Sequence, residues 1–329
     1  MIAPIMIDVL GLELTHSDIK RIQNNAVGGV ILFTRNYKSK TQVRKLIKDI
    51  RNIKDNLLIA VDHEGGRVQR FKGDGWTHIP AMAKLGELYD NNSNKAVEMA
   101  KTCGFVLAYE LAEIDVDFSF TPVLDVDYGS SSVIGDRAFH KSPQVIAKLS
   151  QAFVDGVNQV GMKTVGKHFP GHGFVVADSH IAQPIDTREI SELEKDFEVF
   201  SKVSIDAIMP AHIIFPKVDD KPACFSSVWL KNILRNQLKF KGCVFSDDLS
   251  MQGALFYKDI NQRVDEALKN GCDMVLICNN EKMVDEVLNN KKEYQKNDNL
   301  LEMRLKNNKI SVNLFDKERK KIKEFKNGI

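Results

Sequence analysis

One run of fourteen residues holds the densest chemistry in the chain: Lys167-His168-Phe169-Pro170-Gly171-His172-Gly173-Phe174-Val175-Val176-Ala177-Asp178-Ser179-His180. Three histidines, a lysine and an aspartate stand there within about one loop's length. Imidazoles titrate near neutrality, so such a loop can give and take protons there. The run follows an apolar stretch and is too rich in Gly, Pro and His to read as a strand. It reads as a loop that carries an acid/base group and substrate contacts. His168, His172, Asp178 and His180 are also zinc ligands by type. The Pro170-Gly171 turn removes the helical spacing that would align the first two, and no cysteine joins them. Gly171-His172-Gly173 lacks the Gly-Lys-Ser/Thr of a phosphate-binding loop, and nothing else reads as a nucleotide site.

What must position these residues is a series of short apolar runs, most followed by an amphipathic stretch. They are Ile5 to Leu10, Val27 to Phe33, Leu57 to Val61, Phe118 to Leu124, Lys163 to Gly166, Ala207 to Ala211, Gly242 to Phe245 and Met274 to Cys278. Between them, helical patterns span roughly Asn94 to Glu113, Gln144 to Val160 and Ile190 to Ser201, and Ser226-Ser227 can cap a helix through Leu238. Strands alternating with helices argue for a parallel sheet with right-handed crossovers. Eight is the number that closes a (β/α)8 TIM-type barrel. The rival, a doubly wound open sheet, would show a Gly-rich phosphate turn after its first strand, and Leu10-Gly11-Leu12-Glu13 is not one. The expectation is therefore an α/β chain with one catalytic domain over residues 1–329, the barrel running to about 280 with extra C-terminal helices beyond. In that tail, Val284, Val287, Leu288, Leu300, Leu301 and Leu305 supply an apolar stripe, so it should pack rather than hang free.

In such a barrel, polar residues at the carboxyl ends of strands read as site residues. Seven of the eight runs end that way. The ends are Thr34-Arg35-Asn36; Asp62-His63-Glu64 with Arg67 and Arg70; Asp125 and Asp127, leading to Asp136-Arg137; Lys167-His168; Ala211-His212; Asp247-Asp248; and Asn279-Asn280. Each alone has a bland reading as a cap; together they describe one rim.

The bulk numbers set bounds. Over 329 residues the formal net charge is +2, which gives no electrostatic case for nucleic acid. The five cysteines are odd in number, lack metal-ligand spacing, and read as buried free thiols in a reducing compartment. The N-terminus has no basic start and no long apolar core, so neither signal peptide nor membrane span is expected, and cytoplasm is the default.

The long run, with its Asp178-Ser179-His180 end, resembles the signature of the β-N-acetylglucosaminidases of glycoside hydrolase family 3, in particular the single-domain bacterial type of cell-wall recycling. So do Val61-Asp62-His63-Glu64-Gly65-Gly66-Arg67-Val68-Gln69-Arg70, Phe245-Ser246-Asp247-Asp248-Leu249-Ser250-Met251, Leu32 to Tyr37, and Gly135 to His140. The likeness runs from the start of the chain to about Cys278. It implies hydrolysis with retained configuration through a covalent glycosyl-enzyme. By resemblance, Asp247 is the nucleophile, Asp178 and His180 are the acid/base dyad, and Asp62, Arg70, Arg137, Lys167 and His168 hold the sugar hydroxyls. The resemblance also implies a muropeptide or other amino-sugar substrate, no metal or organic cofactor, and a monomer. His63 stands where Gln is common and Ala138 where Ser is common.

The residues themselves leave choices open. Retaining hydrolysis usually uses two carboxyl groups roughly 5 Å apart. An imidazole acid departs from that rule, though its ordinary pKa suits both proton donation and acceptance. Asp178 can orient His180 as the aspartate does in a serine-protease triad, or can simply make an Asx turn. Asp248 is the decoy beside Asp247; on a strand it points to the other side and caps the next turn. Lys167 and Arg70 can bind hydroxyls, or pair with Asp62 or Asp247. His172, between two glycines, reads as a loop-shaping hydrogen bonder. Trp76 either walls the pocket or packs beneath the loop. A phosphorylase on the same scaffold, a metal-dependent hydrolase built on the histidines, and a non-catalytic sugar-binding protein are the other readings.

Overall fold

The computed structural model describes residues 1–176, 183–290, 292–306 and 308–327. Eight parallel strands close into a barrel: β1 (Ile5–Asp8), β2 (Val27–Leu32), β3 (Leu58–Val61), β4 (Phe118–Ser119), β5 (Lys163–Phe169), β6 (Ala207–Pro210), β7 (Cys243–Asp248) and β8 (Met274–Ile277). β8 returns to pair with β1. Every residue of β2, β3, β6 and β8 is buried. Helices cover one face and interior side chains fill the other, which is why these strands read as unbroken apolar runs rather than alternations.

Two strands differ from expectation in ways that shape the rim. β4 covers only the start of the run Phe118 to Leu124, because Pro122 has no N–H to give to a ladder. The chain stays alongside β5 by looser bonds: Val165 N–H donates to the Thr121 carbonyl (2.9 Å) and Leu124 N–H to the Lys167 carbonyl (2.7 Å). β5, conversely, runs past Gly166 and takes in Lys167, His168 and Phe169, with a register shift against β6 there. The start of the His-rich run is thus strand, not loop, and β-sheet pairing fixes the backbone that carries Lys167 and His168.

The helical layer is built from ordinary signals. Thr15 and Asp18 make a reciprocal capping box at α1 (His16–Gln23), and Ser39 caps α2 (Lys40–Ile53). α3 (Met82–Asn91) leads into α4 (Ser93–Ala112), which packs on α5 (Pro143–Val160) through glycines. A Cβ on Gly104 would lie 2.1 Å from the Phe153 carbonyl oxygen, and one on Gly156 2.0 Å from that of Lys101. α6 (Ile190–Phe197), α7 (Ile260–Asn270) and α8 (Glu281–Asn289) continue the ring. The segment Val228–Gln237 is wound as a π-helix, with Leu238 N–H donating to the Ile233 carbonyl (2.8 Å), and Ser226 Oγ caps it by accepting from Trp229 N–H.

The C-terminal segment packs back on the barrel. Val284, Val287, Leu300 and Met303 are buried, whereas Leu301 points outward. α9 (Val312–Asn327) lies across α4, with Phe315 stacked on Tyr109 at 4.2 Å between ring centroids. Cys103, Cys224, Cys243, Cys272 and Cys278 are all buried and free. Among the described residues no helix is long and apolar enough to cross a membrane.

The α4–α5 contact supports a direct test. Gly104→Ala should lower stability by about 1–3 kcal/mol in urea unfolding, because the two helices must part to admit the methyl group. Gly11→Ala, where nothing lies within 4 Å of the added carbon, is the control and should change little.

Candidate active site

The carboxyl rim of the barrel begins with a layer of buried charge. Asp62 follows β3 directly, and Glu64 lies in a short hairpin just above it (His63–Gly65 with Val68–Gln69). Arg137 comes from a 3-10 turn, Gly135–Arg137, and Lys167 from β5. Glu64 accepts a forked pair of hydrogen bonds from Arg137, Nε and Nη2, each at 2.8 Å. The same carboxylate meets Lys167 Nζ at 2.6 Å, and both side chains are only 3% exposed. Lys167 Nζ also donates to Asp62 Oδ1 at 2.9 Å. Arg70 reaches Asp62 Oδ2 with one long contact of 3.4 Å, and its buried Nε has no hydrogen-bond partner among the described residues.

Burial alone would raise the Glu64 carboxyl, but the charges of Arg137 and Lys167 outweigh it and hold it well below the usual carboxylate range. Asp62 is lowered in the same contest, by Lys167 and Arg70. Burial would lower Arg137, and Glu64 holds it up instead. All three groups are therefore charged across the working pH range. Lys167 keeps one of its three protons, and Arg70 most of its fork, for a ligand.

A second carboxylate organises the other side. Asp125, 1% exposed, meets His168 Nδ1 with Oδ2 at 2.7 Å. Its Oδ1 accepts from the backbone N–H of His168 (3.2 Å) and of His172 (2.7 Å). His172 thus helps to shape the loop base, and burial pushes its imidazole down to about 4. The turn there is tight: a Cβ on Gly173 would lie 1.8 Å from the Val126 carbonyl oxygen. Ser130 Oγ donates to the Phe174 carbonyl (2.9 Å), and the Arg188 guanidinium lies over the Phe174 ring at 4.2 Å.

Across the rim, β7 presents the aspartate pair. Asp248 also lines the cleft, but its oxygens are taken by donors of the following turn and of the end of β8: Oδ1 accepts from Ser250 N–H (2.9 Å) and Cys278 N–H (3.0 Å), and Oδ2 from Ser250 Oγ (2.8 Å). It caps the following turn, as its position on a strand implies. Burial, helped by Asp247, pushes it up to about 7 against the pull of those hydrogen bonds. Asp247 accepts from Asp248 N–H at 2.8 Å. His212 Nε2 donates to the Asp248 carbonyl at 3.1 Å and steadies the strand end.

Six of the eight singled-out residues, Asp62, Arg70, Arg137, Lys167, His168 and Asp247, line one cleft of about 330 Å3. That is the low end of the size range for small-molecule sites. Asp178 and His180 lie outside the described residues. Trp76 does not line the cleft; it packs beneath it against Tyr37, His63 and Phe71. Among the described residues no three or more His, Cys, Asp or Glu side chains gather as a metal site. Two further rim acids, Glu64 and Asp125, hold this site together. Both were visible as strand-end acids, but nothing in the chain says which basic group each would meet.

The N-terminal domain of glycosyl hydrolase family 3 matches residues 5–320. This chain belongs to that family. A β-hexosaminidase of Methylobacillus flagellatus is 52% identical over 296 residues, covering 88% of this chain and 84% of that protein. One from Neisseria meningitidis is 48% identical over 290 residues, 86% and 80% of the two. The crystal structure of NagZ from Neisseria gonorrhoeae in complex with N-trifluoroacetyl-D-glucosamine superposes with a TM-score of 0.91 at 40% identity, covering 98% of this chain and 97% of that one. The protein is accordingly a glycoside hydrolase of the β-hexosaminidase type on a (β/α)8 barrel, and the cleft at the carboxyl rim is its candidate active site.

Two outcomes follow from the buried charges. Glu64→Gln leaves Arg137 and Lys167 short of counter-charge, so urea unfolding should show a loss of about 3 kcal/mol or more. His63 tests burial of a neutral ring. Its imidazole is 1% exposed and pushed down to about 3, first by burial and then by the charges of Arg70 and Lys72. The unfolded chain takes up that proton near pH 6.5, so the stability His63 contributes is full above 6.5 and lost as pH falls toward 3. Relative to wild type, His63→Gln should therefore gain about 2 kcal/mol between pH 7 and pH 5.

Proposed function

We propose that this protein is a retaining exo-β-N-acetylglucosaminidase that releases terminal β-linked N-acetylglucosamine from peptidoglycan fragments with a 1,6-anhydro-muramic end, in cell-wall recycling. The observation that carries the reading is the cleft itself. Asp247, at the end of β7, shares it with oriented, charged donors: Lys167, Arg70 and Arg137. Sugar hydroxyls need donors and acceptors already in place, because ordering long side chains on binding costs affinity. The likeness to NagZ, whose structure in complex with N-trifluoroacetyl-D-glucosamine is so similar, supports an amino sugar as the occupant. We take the enzyme to work as a monomer in the cytoplasm, with no metal or organic cofactor, on a small-molecule muropeptide.

In the first step the Asp247 carboxylate attacks the anomeric carbon from below. The bond to the leaving sugar breaks as the His180 imidazolium gives its proton to the glycosidic oxygen. In the second step neutral His180 takes a proton from water, and the hydroxide so formed attacks the same carbon and frees Asp247. Two inversions return the β configuration. Asp178 holds the His180 tautomer and stabilises the imidazolium that enters the first step and is regenerated by the second. Asp62, Arg70, Arg137, Lys167 and His168 grip the hydroxyls, and Arg137 and Lys167 are held for that by Glu64.

Trapping with a slow 5-fluoro-N-acetylglucosaminyl substrate, followed by peptide mass spectrometry, should place the sugar on Asp247. An adduct on Asp248, or none, would overturn the assignment. Proton NMR of early product should show the β anomer. Asp178→Ala and His180→Ala should each slow turnover and flatten the pH profile; unchanged kinetics in both would remove the dyad. Release of a sugar 1-phosphate when phosphate is added would replace hydrolysis by phosphorolysis.

A further inference from the structure

His168 lines the cleft, and one of its nitrogens is already committed. We propose that Asp125 is a positioning residue: it holds the His168 proton on Nδ1 and so leaves Nε2, an acceptor, to take a hydrogen bond from a sugar hydroxyl. This rests on the reading of the cleft as an amino-sugar site, which it deepens by assigning the partner and the direction of one contact.

The geometry carries the inference. A carboxylate only accepts, so at 2.7 Å from Asp125 Oδ2 the proton belongs to the imidazole Nδ1. Both oxygens of Asp125 are in use, since Oδ1 takes the backbone N–H groups of His168 and His172. The carboxylate therefore cannot rotate away without orphaning buried amides, and its side chain is fully buried. Burial would raise Asp125, but the nearby His168 and the bonds from it and His172 hold it below the usual range, so it stays an acceptor. Around the pair, the ring of His172 meets that of His168 edge-on at 5.7 Å, and the cations Lys167 and Arg137 line the same cleft. Those cations supply donors in plenty. An acceptor among them is what lets the site tell a hydroxyl hydrogen from a bare ether oxygen.

The test uses full-length protein. In 15N-histidine-labelled wild type at pH 8, with the His168 signals found by their loss in His168→Gln, the pattern should be that of protonated Nδ1 and bare Nε2. The opposite tautomer would overturn the proposal, and this arm needs no folded variant of Asp125. The second arm measures binding of N-acetylglucosamine and its monodeoxy analogues by titration. Asp125→Asn offers Nδ1 an amide N–H and moves the ring proton to Nε2. N-acetylglucosamine should then bind roughly tenfold more weakly. One hydroxyl whose removal weakens binding to wild type should cost nothing further in the variant. Equal penalties in both proteins would make Asp125 merely structural and overturn the inference. If wild type binds no N-acetylglucosamine at all, the amino-sugar reading fails on its own, while the NMR arm still decides the tautomer.

Discussion

The site depends on one carboxylate placed where water does not reach it. Glu64 sits between Arg137 and Lys167, and each of the three would be costly to bury alone. Together they are tolerable, though not a reason for stability, since a buried ion pair commonly does no better than apolar packing. What the arrangement supplies is order. Arg137 is forked onto Glu64 and tied to the Val133 carbonyl, and Lys167 is held by two acids. Neither has to be straightened when a ligand arrives. Arg70, held by one long contact, is the looser member and has more to offer a guest.

The barrel makes this placement possible through its weakest strand. β4 lies between β3 and β5 but pairs with them over only a few residues. Where the ladder fails at Pro122, the chain swings along β5 by single bonds and delivers Asp125 beside His168. The early end of β4 and the long reach of β5 are two sides of one compromise. A full ladder would bury more backbone in regular pairs, but it would fill the space these acids occupy. The His172 amide then fastens the first turn of the loop to the same acid, so the cleft-lining His168 and the loop base share an anchor.

Much of this was legible in the chain, and the limits have physical causes. Fully buried parallel strands appear as apolar runs, so all eight could be counted, and their polar ends named the rim. Lys167 and His168 read as loop because such residues seldom suit a strand; tertiary pairing overrides that propensity. Trp76 carried no sign of which side of the hairpin it would take. Glu64 and Asp125 looked like any other strand-end acid. Their roles are pairings across 73 and 43 positions of sequence, and only the closed barrel brings those ends together. The π winding of Val228–Gln237 has no signature in residue type at all.

The neighbouring aspartates show how environment divides work that composition leaves equal. Asp247 and Asp248 are adjacent on β7, and both line the cleft. Asp248 turns both oxygens to donors from Ser250 and Cys278, yet burial still pushes it up to about 7. Because its folded value lies above the ordinary one, it remains largely protonated until the pH approaches that value. The charge of Asp247 beside it adds to that rise. Below neutrality Asp248 therefore carries the proton.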